Sequence, residues 1–207
     1  MDHPSNSRAI AAMLIAMAGF ILNDTLVKMA SDAVPLGQII LVRGLICIAA
    51  LGVAGAVTGL FHNARVLAHP AVLVRALAET AATILYLTAL FQLPIANATA
   101  ILQVLPLMVT AAAAVFLKDA VGWRRWSAIL VGLIGVLLII RPGLEGFNVF
   151  SLLALAGVGC MALRDLATRQ LPKDVPTLGV ALVSFIAVTL LGTFLTVQSG
   201  WTDLSLV

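Results

Sequence analysis

Charge is the scarcest property of this chain: Asp, Glu, Lys and Arg make up 10% of its 207 residues, against about 25% in a soluble domain. Apolar residues make up 62% and the mean hydropathy is +1.13, which places the chain among integral membrane proteins. The twelve basic residues are dispersed between apolar runs and the net charge is only +3, so nucleic-acid binding has no electrostatic footprint. Two cysteines, Cys47 and Cys160, sit in separate apolar stretches, which excludes a disulfide framework and offers no metal-ligand spacing. The three histidines, His3, His62 and His69, are terminal or in a loop, so neither a Ser/His/Asp set nor a zinc set is assembled. No glycine-rich phosphate loop stands between a strand and a helix. The chain therefore reads as a non-enzyme with no cofactor and no metal.

What the sequence has in abundance is long apolar runs. Stretches able to cross about 30 Å of hydrocarbon lie at 9–30, 37–59, 72–93, 95–117, 123–141, 149–169 and 177–198. The connections between them, such as QLP at 92–94 and RPGLEG at 141–146, carry Pro, Gly or charge. Short alternating segments of the barrel kind are missing, so helices are the expected spanning element. Ahead of the first run, Arg8 and the Ala16-Met17-Ala18 triplet look like a cleavable leader, but the apolar run continues past Ala18 to Leu22 and is expected to remain. A retinal protein is excluded, because the seventh run contains no lysine for a Schiff base.

Basic residues alternate in density from loop to loop. One set holds Arg8, Arg65, Arg75, Lys118, Arg124, Arg125, Arg164, Arg169 and Lys173; the other holds Lys28 and Arg141, with Arg43 inside a span. That bias predicts a cytoplasmic N-terminus. Trp123 and Trp126 flank the fifth span and Trp201 follows the seventh, at the expected interfaces.

The chain also repeats itself. Residues 23–43 and 164–184 align without a gap at an offset of 141: Asp24 meets Asp165, Val34-Pro35 meets Val175-Pro176, Leu41-Val42 meets Leu182-Val183, and Lys28 meets Arg169. Five spans separate the two copies, an odd number, so the second copy enters the membrane from the opposite side. The expected fold is all-α and integral to the membrane, with seven transmembrane helices present of an expected ten in inverted five-helix repeats. The first repeat covers 1–141 and the start of the second covers 142–207. On this reading the partner of the third span would begin beyond Val207, and the sequence is expected to be truncated.

Residues Tyr86 to Gly143, YLTALFQLPIANATAILQVLPLMVTAAAAVFLKDAVGWRRWSAILVGLIGVLLIIRPG, resemble the end of the first repeat of the EamA family, in the drug/metabolite transporter superfamily. A tight turn follows the third helix, Pro106 lies in the fourth, an acidic residue follows it, and a Gly-spaced fifth helix ends near Arg-Pro-Gly. The family usually has Glu where this chain has Asp119. NDTLVK at 23–28, followed by Pro35 and Arg43, also looks like bacterial members associated with uptake of cofactors such as S-adenosylmethionine or riboflavin. The resemblance implies a permease of the bacterial inner (plasma) membrane that carries small metabolites, cofactor-like or amino-acid-like, by alternating access without hydrolysing nucleotides. The partners expected are therefore a small-molecule solute and the lipid bilayer, with self-association as a homodimer if the chain is truncated. The competing expectation is a non-transporting remnant, or a membrane subunit that needs a partner to complete its helix bundle.

Ionisable groups inside a span mark function by default, because each costs at least roughly 2.5–3.5 kcal/mol at the bilayer centre. Asp24 and Lys28 share one face of the first span, and Arg43 lies in the second at similar depth, so Asp24 and Arg43 can meet. They serve either as an ion pair bracing two helices or as solute contacts, and a carboxylate there can also couple transport to a proton gradient. Lys28 is expected to snorkel to the interface. Glu79 is either a solute contact or the i,i+4 partner of Arg75. Asn23, Thr83, Tyr86, Asn97, Thr99 and Gln103 offer neutral polar lining, and interhelical bonding explains such residues equally well. Pro106 is expected to kink the fourth span, and Asp165 to mirror Asp24 on the cytoplasmic side. Gly55 with Gly59, and Gly132 with Gly135, read as close helix packing.

Overall fold

The computed structural model describes residues 4–58, 67, 69–117, 122–140, 149–172 and 174–202. Arg65, Lys118, Asp119, Arg141, Lys173, Gly59, His3 and His62, all invoked above, lie outside the described residues. Every regular element among the described residues is helical: α1 (Pro4–Ala30), α2 (Leu36–Val57), α3 (Pro70–Gln92), α4 (Ile95–Leu102), α5 (Leu105–Phe116), α6 (Trp123–Ile140), α7 (Val149–Arg169) and α8 (Thr177–Ser199). Each apolar run has become a helix with ends within a few residues of the expected ones, the fourth run being divided into α4 and α5. Among the described residues, six stretches are long and apolar enough to cross a membrane, with α4 and α5 counted as one. Helix α6 has 18 residues, about 27 Å of rise.

Prolines set the helix boundaries. Pro35 and Pro176 are the N-caps of α2 and α8. Their fixed φ suits a helix start, and neither could donate a backbone bond from within a helix. Pro70 opens α3, where the Nδ1 of His69 accepts a 3.2 Å hydrogen bond from the backbone N–H of Ala71. Pro94 forces Leu93 into an extended conformation (ψ 150°), which ends α3. Between α4 and α5 the chain turns at Gln103–Val104, and Pro106 sits in the first turn of α5. Lacking an N–H, it cannot bond the carbonyl of Leu102 as a continuous helix would require.

Two antiparallel helix pairs form the centre. Along α2 and α8, Gly37 approaches Thr196, Leu41 approaches Gly192, and Gly44 approaches Thr189, so one helix descends as the other rises. A Cβ on Gly192 would lie 2.7 Å from the backbone nitrogen of Leu41, so only glycine permits this approach. Helices α3 and α7 are antiparallel as well, with Tyr86 opposite Gly157 and Glu79 opposite Arg164. The main core cluster joins both pairs through Ile40, Leu87, Leu90, Ile101, Val158 and Val188. The expectation of tight packing at Gly135 is not met, since a Cβ there would have nothing within 4 Å, although Gly132 lies against Leu107. Most large apolar side chains of α1 are exposed (Leu14 65%, Ile15 74%, Leu22 60%), as a lipid-facing helix requires.

Candidate functional site

The C-terminal half of α1 attaches to the bundle through its polar residues. Asp24 is 7% exposed, and its two oxygens accept hydrogen bonds from Asn23 Nδ2 and from the Tyr86 hydroxyl, each at 3.2 Å. One turn later, the Nζ of Lys28 donates to the carbonyl oxygens of Leu90 at 2.9 Å and Phe91 at 2.7 Å, in the last turn of α3. The cause is local: the residue four beyond Leu90 is Pro94, which has no N–H to give, and the extended Leu93 ends the helix before Phe91 finds a partner. The ammonium takes the place of the missing donors and suits the negative end of the α3 dipole.

The ion pairing expected within α3 is also redrawn. Glu79 does not pair with Arg75; it meets Arg164 of α7 at 3.2 Å, and Arg164 Nε donates to Asp165 at 2.9 Å. Arg75 instead donates to the hydroxyls of Thr168 on α7 and Ser184 on α8. Helix azimuth explains the switch, because α7 presents a cation to Glu79 across the helix contact, while Arg75 turns toward α8. Asp24 and Arg43 do not form the ion pair either. Arg43 makes no hydrogen bond or ion pair among the described residues.

Asp24, Arg43, Glu79 and Arg164 nevertheless line one partly open cavity of about 380 Å³ between α1, α2, α3, α4, α5 and α7. Of the candidates, Asn23, Tyr86, Gln103 and Pro106 line it too, as does Thr83. Tyr86 and Glu79 are seven residues apart on one face of α3, about two turns or 10 Å, so the Asp24–Tyr86 contact and the Glu79–Arg164 pair lie at different depths. Thr99 falls outside: its hydroxyl returns to the carbonyl of Ile95 at 2.7 Å, and it lines a second groove of about 800 Å³ against α1 and α6. Gln103, at the break between α4 and α5, borders both spaces. Asp165 does not line the cavity but holds Arg164, which does. Asp24 and Asp165 therefore occupy unlike surroundings, and the cavity group at the second copy is Arg164.

Arg164 is the residue missed from the sequence, where it was counted as a topological charge. The internal alignment carried the signal, since it sets Arg164 opposite Asn23, and both line the cavity. No cluster of metal-ligating side chains occurs among the described residues.

Comparison with known proteins follows the same lines. Over 81 residues the chain is 33% identical to a riboflavin transporter of Vibrio cholerae, a match covering 39% of this chain and 27% of that protein. Over 77 residues it is 29% identical to an S-adenosylmethionine uptake transporter of Rickettsia bellii, covering 37% of this chain and 26% of that protein. The chain thus spans about a quarter of the length of each relative. No solved structure matches. The model of the EamA-like transporter family matches residues 7–141, most of the chain, which takes in α2 to α6 and all but the first residues of α1. On these matches and its apolar helices, this multi-pass membrane protein belongs to the EamA-like transporter family.

Proposed function

We propose that the protein is a secondary transporter of the bacterial inner membrane that moves small polar metabolites by alternating access. The observation that carries this reading is the cavity of about 380 Å³ with four ionisable side chains set among apolar helices. Groups so costly to hold in a bilayer are kept where they do work on a solute or ion. Asn23, Asp24, Arg43, Glu79, Tyr86 and Gln103 form the pathway, Thr99 borders it from the neighbouring groove, and Asp165 acts through Arg164. The break at Pro106 keeps irregular backbone beside the cavity.

Residues 1–141 form a first repeat and 142–207 carry the opening helices of a second, inverted one. In support, Pro35 and Pro176 cap α2 and α8 at the repeat offset, and α2 and α8 run antiparallel side by side. Such pairing lets one repeat rock against the other about the bound solute. The distribution of Lys and Arg orients the N-terminus to the cytoplasm. The solute crosses chemically unchanged, so the protein works as a permease and not as an enzyme.

Uptake into proteoliposomes tests the reading. Riboflavin and S-adenosylmethionine are the first solutes to try, because the matched relatives are named for them. Time-dependent accumulation of intact solute is expected, with at least a tenfold loss in Asp24→Asn and in Arg43→Gln reconstituted at equal density. Accumulation no greater than in empty liposomes across a metabolite panel would overturn it, and unchanged rates in both variants would remove these residues from the pathway.

A further inference from the structure

The first turn of α6 carries a charged patch that the cavity does not use, since no residue of α6 lines it. Two tryptophans bracket two arginines there, Trp123-Arg124-Arg125-Trp126, and all four residues are exposed. The central carbon of the Arg124 guanidinium lies 5.8 Å from the centre of the Trp123 ring, a cation–π contact that holds the charge beside the indole. Neither guanidinium makes a hydrogen bond or ion pair among the described residues, and α6 has no acid in its first turn. Lys118 and Asp119, just upstream, offset each other, so the stretch 118–126 keeps a net charge of +2. Below the patch runs an apolar track. Val131 and Leu138, seven and fourteen residues on, share the side of the helix that carries Arg124, and Leu130 and Ile134 continue from the tryptophans. These four side chains are 56% to 70% exposed. The opposite side of α6 packs on the bundle, with Ile129 buried and Gly132 against Leu107 of α5.

We propose that this face of α6 binds an anionic phospholipid, its phosphate on Arg124 and Arg125, its ester region beside the two indoles and an acyl chain along the track. A planar guanidinium matches phosphate oxygens with two parallel hydrogen bonds. Tryptophan rings sit at headgroup level, with an apolar body toward the chains and an N–H toward water. From Leu130 to Leu138 the helix rises about 12 Å, close to the roughly 15 Å of hydrocarbon in one leaflet. A zwitterionic headgroup brings its own ammonium, which meets the arginines as a like charge, so a headgroup of net negative charge fits better. A soluble anion would leave the apolar track unused. A partner helix laid on the patch would bury both guanidiniums without a counter-charge. The Lys and Arg distribution puts this end of α6 on the cytoplasmic side, where anionic lipids attract basic residues.

Fluorescence quenching by brominated lipids tests the assignment on the full chain in nanodiscs. Trp201→Phe leaves Trp123 and Trp126 as the emitting tryptophans. Chain-brominated phosphatidylglycerol in a phosphatidylcholine bilayer, and the reciprocal labelling, give the relative affinity of the two headgroups at these residues. A basic residue near the surface favours an anionic lipid roughly fivefold, so the pair should prefer phosphatidylglycerol by about 30-fold at low salt. The preference should shrink as salt screens the exposed charges. Arg124→Gln and Arg125→Gln should each lower it roughly fivefold. Arg169→Gln, at an exposed basic residue of α7, should leave it unchanged. Equal quenching by both lipids overturns the proposal. So does a preference that Arg169→Gln lowers as much as Arg124→Gln does, since that is the diffuse attraction of all the basic residues and not a site. Displacement of the brominated lipid by millimolar inorganic phosphate at constant ionic strength would assign the arginines to a soluble anion and overturn it as well. The headgroup comparison itself needs neither arginine variant to fold.

Discussion

Replacing Lys28 by Met should destabilise the protein although it removes no apolar contact, because the ammonium holds two carbonyls that the helix itself cannot serve. Leu90 has lost its natural donor to Pro94, and Lys28 bonds it at 2.9 Å and Phe91 at 2.7 Å. Hydrogen bonds to a charged group contribute roughly 1.5–3 kcal/mol. Lys28 is only partly buried, so the lower half of that range applies, about 1.5–2 kcal/mol. For a chain of this size each kcal/mol moves the melting temperature by about 2–4 °C, which gives an expected fall of roughly 3–8 °C. The consequence is local as well, since Asp24 and Val27 are the buried residues between Ile10 and Ala30, and Lys28 adjoins both. Loss of the tether loosens the end of α1 that presents Asp24 to Tyr86. Thermal unfolding in detergent, followed by tryptophan fluorescence, measures the shift. The control is Met29→Ala, which removes a side chain that is 71% exposed and should change stability by no more than about 0.5 kcal/mol. A Lys28→Met protein that melts with the control would refute the capping argument, and Lys28→Arg should keep most of the stability.

Three further outcomes follow from the same geometry. Gly192→Ala should cost about 1–3 kcal/mol by forcing α8 away from α2, while Gly135→Ala, with nothing within 4 Å, should be neutral or stabilise by up to about 1 kcal/mol; paired melting curves decide this. Glu79→Gln and Asp165→Asn should each cost about 0.5–1 kcal/mol, since Arg164 keeps one carboxylate in either case, but the double variant should cost more than the sum; a double-mutant cycle showing simple additivity would contradict the shared partner. Tyr86→Phe should cost about 0.5–1.5 kcal/mol by leaving one oxygen of Asp24 without its donor, and should leave the melting temperature of Asp24→Asn nearly unchanged when the two are combined.

Much of the framework was legible in the chain. The spans could be read because a bilayer demands length and apolarity from consecutive residues, and both are local properties. Helix ends were marked by Pro35, Pro94 and Pro176, whose effect on the backbone needs no neighbour. Asp24, Arg43, Glu79, Tyr86 and Gln103 could be singled out because a polar group in an apolar run is conspicuous. Their partners could not. Arg75 lies one turn from Glu79 in sequence, yet the structure gives Glu79 to Arg164, 85 residues away. Lys28 reads in the sequence as an interfacial lysine, and its capping of α3 is hidden there because the carbonyls it bonds belong to another helix.

Sequence alone therefore determined that the chain crosses the membrane in helices, where those helices start and stop, and which few polar groups are carried inside. Tertiary structure decided which charges neutralise one another and which stay open to the cavity. Depth along a helix follows from counting residues, but a pairing also depends on the rotation of each helix about its axis and on which neighbour it meets. Close approaches such as Gly192 against Leu41 set those rotations, and they exist only once α2 and α8 are packed together.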